Sequence, residues 1–342
     1  MPRPLPRIIN MSTIGDDLLR EASPTFGPKV EAVVVYNSNP VAVAPDSRQV
    51  VKGFAREDLF TVVLEHFLTD TADHADIVLP ATTQLEHWDA HTSYGHTYAM
   101  VNQPSLAPLG QARSNAEIFR ALAARMGFTE PCFSDSDEAM VRQAFNADWV
   151  NGDELMARGW VKLPLADAPF AEGGFPTPHG KVIVDAPGLG VPDHLPNHEC
   201  AQAQPELAAR YPLAMISPPA RHFLNSTFVN VKSLRAIEGE PLLEMHPADA
   251  AARGIASGQV VTVFNDRGRY RCKVEVSDRA RPGVVVGLSI WWRKYGLDGT
   301  NVNELTHQKL TDIGRAPSFY DCLVEVAGEG HAAGVPAALA AG

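Results

Sequence analysis

Four polar clusters in this chain carry residue types able to hold a ligand. Asn37-Ser38-Asn39-Pro40 follows a continuous apolar run, Ala32 to Tyr36, and Thr69-Asp70-Thr71-Ala72 follows another, Leu59 to Leu64. Ligands in open parallel sheets sit outside the carboxyl ends of the strands. Amides, hydroxyls and free backbone N–H groups there suit a base, a ribose or a phosphate. The Asp70 carboxylate would accept from the N–H groups of a guanine. The same residue types are also ordinary turn and capping residues. No G-x-G-x-x-G occurs, so the usual dinucleotide fingerprint is missing.

The third cluster is the loop Ser217 to Thr227, which brings Arg221, His222, Asn225 and Ser226 together directly after a strand. Arginine offers a planar donor fork for phosphate or carbonyl oxygens, and Asn, Ser and Thr can bond the edges of a heterocycle. A solvated polar loop is the competing reading. The fourth, Asn301 to Thr306, is an amide-rich turn centred on Asn303 that can face ligand or solvent. His87 and His91 have the i, i+4 spacing that ligates metals on a helix, but Thr92-Ser93-Tyr94-Gly95 would break that helix at once. A polar surface loop is therefore expected there, and no metal ligands are assigned. No spacing assembles a nucleophilic triad.

The elements that must position these clusters are legible from periodicity. Ala32 to Tyr36 and Leu59 to Leu64 read as buried strands and Asp76 to Pro80 as a third strand closed by proline, with helical stretches at Asp46 to Phe54 and from Thr69 between them. Strand, helix and strand at this spacing imply an α/β doubly wound parallel sheet. Ser114-Asn115-Ala116-Glu117 is a capping box opening a helix that Gly127 closes. A further helix is expected from Asp137 to Phe145. Pro and Gly then become dense from Pro164 to Pro205, as in a connector crossing the surface. After Tyr211 the pattern is β: short strands, a hairpin turning at Asn265-Asp266-Arg267-Gly268, and one small helix with Pro247 at its start and Gly254 at its end. A closed barrel is the expected outcome. The domains expected are 1–130, a connector 131–205, a barrel 206–328 and a flexible tail 329–342.

Composition narrows the function classes. Twenty-nine Lys and Arg against 40 Asp and Glu give a net charge of −11, which disfavours nucleic acid and anionic membranes as partners. The four cysteines, Cys132, Cys200, Cys272 and Cys322, form no C-x-x-C pair, so plain thiols are expected and no iron–sulfur cluster, zinc knuckle or disulfide framework. No apolar run approaches a membrane span and Met1 to Met11 has no signal-peptide core, so a cytoplasmic location is expected.

The motifs also carry a resemblance. Val35-Tyr36-Asn37-Ser38-Asn39-Pro40 resembles the first nucleotide-binding loop of the molybdopterin oxidoreductases, the dimethyl sulfoxide reductase superfamily that includes formate dehydrogenases and nitrate reductases. Thr69-Asp70-Thr71-Ala72, Ala75-Asp76-Ile77-Val78-Leu79-Pro80 and Glu86 look like that family's T-x-T-A…A-D-x-x-L-P…E signature. Phe175 to Val182 is similar to its F-x-T-P-S-G-K segment, with His179 in place of the serine. Tyr211-Pro212-Leu213, Met245 to Ala250, Trp291-Trp292 and Asn303-Glu304-Leu305-Thr306 resemble parts of its dinucleotide-binding barrel.

The resemblance implies a double-psi β-barrel after the α/β domain, and molybdopterin guanine dinucleotide, with its molybdenum, as cofactor. It places Asn37, Asn39, Thr69, Asp70 and Thr71 at the guanosine end, and Arg221, His222, Asn225, Ser226 and Asn303 near the pterin and phosphates. No residue here matches the family's iron–sulfur cysteines or its molybdenum ligand, so no catalytic residue is assigned. The expectation is the cofactor-binding C-terminal portion of an oxidoreductase, inactive alone and partnered by an N-terminal half or subunit. The alternative is a stand-alone, non-catalytic dinucleotide-binding module or carrier. A half-cradle should leave an apolar face uncovered.

Overall fold

The computed structural model describes residues 6–145, 147–185, 187–191, 193–318 and 320–329. Nearly all of the expected flexible tail, and the first five residues, lie outside the described residues. Two compact units emerge: Met1–Val63 with Leu68–Val78 and Leu195–Gly342, and Leu64–Phe67 with Leu79–His194.

In the first unit, helix α1 (Ile14–Leu19) precedes strand β1 (Ala32–Tyr36). Helices α2 (Pro40–Val43) and α3 (Ser47–Phe54) lead to β2 (Phe60–Glu65), and β3 (Ile77–Pro80) follows a short 3₁₀ turn, Ala72–His74. The three strands form a parallel sheet in the order β1-β2-β3. Leu18, Val35, Val50, Phe54 and Val63 make a buried core between helices and sheet. One expectation needs correcting: β1 is not buried on both faces. Its alternate residues Val34 and Tyr36 are 50% and 51% exposed, and Phe60 of β2 is 48% exposed. The core forms on the Val35 side, and the opposite face stays open.

The second unit contains a three-stranded antiparallel sheet that periodicity did not reveal: β4 (Asp89–Ser93), β5 (His96–Asn102) and β6 (Trp160–Lys162). Around it lie α4 (Asn115–Arg125), α5 (Asp137–Gln143) and α6 (Gly152–Arg158). The Ser114 hydroxyl caps α4 by accepting from Glu117 N–H at 3.1 Å, as its sequence box implies. His91 sits on β4, not on a helix or in a loop, so its spacing from His87 has no helical meaning. Glu86 accepts from Thr83 N–H at 2.7 Å, the Thr83 hydroxyl at 2.8 Å and Leu109 N–H at 2.6 Å. Those bonds hold its carboxyl below the ordinary value.

After α7 (Pro205–Arg210) the chain returns to the first unit and closes a six-stranded barrel. Its members are β7 (Leu213–Ile216), β8 (Leu242–Met245), β9 (Val260–Phe264), β10 (Arg269–Val276), β11 (Val284–Gly287) and β12 (Cys322–Gly328). Helix α8 (Lys232–Glu238) lies between β7 and β8, and α9 (Pro247–Ala252) follows β8. The ring order is β10-β8-β11-β7-β12-β9, with β8–β10 and β7–β11 parallel and the other pairs antiparallel. Alternation explains the interior: along β10, Tyr270, Cys272 and Val274 point in while their neighbours stay partly exposed. Burial pushes the Cys322 thiol up to about 12, so it remains protonated. All four cysteines are free thiols. Between Lys162 and Pro205 the described residues form turns and bends, as the Pro and Gly density implies.

One residue of that connector departs from the expected surface path. Glu199 is 8% exposed and holds Arg267 of the β9–β10 turn by two bonds, at 2.5 and 2.9 Å. Arg267 also donates to Leu305 O, and Asn265 donates to the same carbonyl at 2.9 Å. The hairpin turn thereby fixes the loop that carries Asn303.

Candidate nucleotide and cofactor site

The predicted site residues come from separate parts of the sequence, and several meet within the first unit at the C-terminal ends of β1 and β2. Asn39 stands at the N-cap position of α2, but its side chain does not cap that helix. Its carbonyl oxygen accepts from Thr71 N–H at 3.1 Å and from the Thr71 hydroxyl at 2.8 Å. Thr71 in turn accepts from Val41 N–H at 3.1 Å. The threonine thus serves as the cap of α2, and the β1 and β2 loops are locked together. Thr69 accepts from Ala72 N–H at 3.2 Å and shapes the turn. All three side chains are buried.

The Asn39 amide nitrogen is also buried and has no hydrogen-bond partner. An interior donor without an acceptor is destabilising by roughly 1–3 kcal/mol. This orphan N–H group fits a site built to receive an acceptor such as a base carbonyl or a phosphate oxygen.

Asp70 is placed differently from the expectation of an open guanine acceptor. Its carboxylate accepts from the backbone N–H of Arg293 at 2.5 Å and of Lys294 at 3.3 Å. Burial raises its pKa above the ordinary value, opposed by these bonds and by the nearby Lys294 and Arg293 charges. Each carboxylate oxygen retains a second lone pair for a further donor.

Asn303, 4% exposed, donates to Ala42 O at 3.0 Å and to Val43 O at 3.2 Å. Asn301 donates to Ala42 O at 3.0 Å and to Trp291 O at 3.2 Å. These amides tie the barrel to the end of α2. Ala42, Ala220, Phe223, Val229, Trp291 and Trp292 form one buried cluster, so the Arg221 loop joins the same region. The Trp292 indole donates to Ser226 O at 2.7 Å. His222 Nδ1 lies 2.6 Å from Glu238 of α8, which also accepts the His222 backbone N–H at 2.7 Å. Arg221 is exposed.

Asn37 and Asn225 are exposed, with φ of 52° and 54°. Asparagine tolerates that left-handed conformation better than most residues, so turn geometry alone accounts for both.

Sequence reasoning missed a second network beneath these loops. Glu304, 4% exposed, accepts from the Ser47 hydroxyl at 3.2 Å and pairs with Arg293. Gly268 lies against it: a Cβ there would come within 2.8 Å of the Glu304 carbonyl oxygen. The Trp-Trp and Asn-Glu-Leu-Thr words were legible, but nothing in one sequence tells that Arg293 and Glu304 face each other. Among the described residues, no group of three or more His, Cys, Asp or Glu could hold a metal ion.

Comparison with known proteins shows the family and the fold. Residues 213–323 match the molydopterin dinucleotide binding domain family, and residues 20–125 match the molybdopterin oxidoreductase family. The chain belongs to the molybdopterin oxidoreductase superfamily. It is 36% identical to a probable oxidoreductase, YoaE, of Bacillus subtilis (strain 168), across 94% of this chain and 47% of that protein. With a dimethyl sulfoxide/trimethylamine N-oxide reductase of Cereibacter sphaeroides it shares 31% identity, over 82% of this chain and 38% of the other. Acetylene hydratase from Pelobacter acetylenicus has the same fold at a TM-score of 0.75 and 22% identity, covering 93% of this chain and 46% of that one. The chain therefore spans about half the length, or less, of the relatives it matches.

Proposed function

We propose that this chain is the cofactor-binding C-terminal portion of an oxidoreductase that uses molybdopterin guanine dinucleotide. The observation that carries the reading is the locked Asn39–Thr71 pair with its orphan buried amide, at the strand ends where a nucleotide would sit. Asn37, Asn39, Thr69, Asp70 and Thr71 would hold the guanosine end. Arg221, His222, Asn225, Ser226 and Asn303 would lie toward the pterin and phosphates. When bound, the molybdenum centre would supply the redox chemistry, and these residues would orient the cofactor.

This chain's own residues bind and position. The Asn39 amide donates to an acceptor on the base. The Asp70 carboxylate, already fixed by two backbone N–H groups, accepts a base N–H with its remaining lone pairs. Arg221, exposed and planar, is suited to a phosphate. The finer fold assignments belong with this reading: a double-psi barrel at 206–328, an α/β domain at 1–130 that is part of a doubly wound sheet, and 131–205 as their connector. So does a cytoplasmic location. Among the described residues, no helix is long and apolar enough to cross a membrane.

Catalysis in this reading requires a partner that brings the metal ligand and an iron–sulfur region. The open face of the parallel sheet, with Val34, Tyr36 and Phe60 each about half exposed, supports such a partner. Affinity capture of the tagged chain from its native cells tests it. The expected result is a co-purifying polypeptide with a cysteine cluster, together with molybdenum. A chain that elutes alone with molybdenum and reductase activity would overturn the proposal.

A further inference from the structure

Beside the tryptophan cluster of the site just described, the first unit carries a cleft of about 280 Å³. Lys232 and Arg235 of α8 line it, with Trp291, Tyr295, Leu297 and Glu240. Three residues apart, the two cations share one face of the helix. Arg235 lies over the Tyr295 ring, 3.9 Å from its centroid, and donates to Val229 O at 2.8 Å. Tyr295 stacks on Trp292 with centroids 5.7 Å apart and planes at 16°.

The charge balance of the cleft is unusual for a chain of net charge −11. Both nearby carboxylates are engaged elsewhere. Glu240 pairs with Lys273 at 2.6 Å, and Glu238 is bonded to His222 at 2.6 Å. Neither Lys232 nor Arg235 has a carboxylate within ion-pair distance among the described residues. The cleft therefore combines two unneutralised cations with an apolar and aromatic wall. An inorganic anion would use only the first feature and a neutral ring only the second.

We infer that this cleft binds a small aromatic acid, its carboxylate between Lys232 and Arg235 and its ring against the Tyr295, Trp291 and Leu297 wall. Charge-assisted bonds fix the anionic end, and the ring meets both an aromatic edge and the guanidinium. Trp291 is shared with the buried cluster of the candidate site, but none of the residues proposed to hold the nucleotide lines the cleft, and Lys232 and Arg235 lie outside that set.

Titration calorimetry of the full chain with benzoate, cyclohexanecarboxylate and benzyl alcohol tests it. Benzoate should bind with Kd on the order of 1 mM at low salt, as befits so few atoms, and the other two at least about fivefold more weakly. Lys232→Gln, a change at an exposed position, should weaken benzoate about fivefold and remove most of the salt dependence. Arg235→Lys keeps the charge and should weaken benzoate more than cyclohexanecarboxylate. No benzoate binding, equal binding of benzyl alcohol, or benzoate binding unaltered in Lys232→Gln would each overturn the assignment.

Discussion

The barrel and the 79–194 unit use apolar residues in opposite ways. Seventeen buried side chains, from Leu213 to Val326, form one continuous core inside the barrel. The other unit's main core has four, Ala99, Val150, Leu155 and Val161, while Tyr98, Met126, Trp149 and Trp160 are each more than a third exposed. Closing a sheet on itself buries one residue in two and leaves no free edge. A three-stranded sheet that leaves Tyr98, Met100 and Trp160 exposed does not do the same. The difference teaches where this protein can hold atoms still: the residues placed at the candidate site hang from the barrel and from the loops it clamps, not from the smaller core.

Core truncations test that contrast with the largest effects. Leu243→Ala in the barrel should cost about 4 kcal/mol and Leu155→Ala in the smaller core about 2 kcal/mol by urea denaturation. Equal losses would break the comparison. Next comes the buried clamp on the Asn303 loop. Glu199→Gln leaves Arg267 without its anion and should cost about 3 kcal/mol, whereas the double change Glu199→Leu with Arg267→Met should recover most of it. A single change that leaves the melting temperature untouched would show that the connector does not brace the barrel.

Gly268→Ala probes the same region from the hairpin. Its added carbon would meet the Glu304 backbone at 2.8 Å, so a loss of about 2 kcal/mol is expected. At the Asn39–Thr71 lock, Asn39→Ala should cost only about 1 kcal/mol. The loss of two accepted bonds is partly offset by removing an unpaired donor. Its effect on nucleotide retention should be far greater than its effect on stability, and a proportionate loss of both would make Asn39 merely structural.

The smallest effect is a pH dependence on the barrel rim. Asp266 accepts from Arg210 at 2.8 and 2.7 Å and from the Tyr211 hydroxyl at 2.7 Å. Arg210 holds its pKa below the ordinary value, helped by Tyr211 and opposed by partial burial. A carboxyl depressed in the folded state stabilises above its unfolded pKa and loses that contribution as pH falls toward the folded one. Asp266→Asn should therefore lower the melting temperature at pH 7, with the deficit shrinking steadily as the solution is acidified below about pH 4. A deficit independent of pH would assign the effect to packing.

The sequence made the barrel legible because its signals are local. Alternation in Tyr270-Arg271-Cys272-Lys273-Val274 and the Asn-Asp-Arg-Gly turn specify a hairpin without knowledge of anything distant. Pro247 and Gly254 bracket a helix for equally local reasons. Strand β4, Asp-Ala-His-Thr-Ser, has no such pattern. Its pairing with β5 is what makes it a strand, and its own residues carry no strand period. The candidate site was half legible. Asn39, Asp70 and Thr71 could be picked out as strand-end polar residues, and Asn303 as part of an amide-rich turn. That Asp70 binds the backbone of residues 293 and 294, or that Ser47 donates to Glu304, depends on contacts between segments more than two hundred residues apart. No single-sequence rule reaches them.

We propose that this chain supplies one nucleotide cradle and leaves the metal site to be completed by a partner. Expressing the full chain in a host that makes molybdopterin guanine dinucleotide, then measuring acid-released GMP and molybdenum on the purified protein, tests it most directly. At most about one GMP per chain, little molybdenum, and a further drop in GMP for Asp70→Asn are expected. Roughly two GMP and one molybdenum per chain, unaffected by Asp70→Asn, would contradict it.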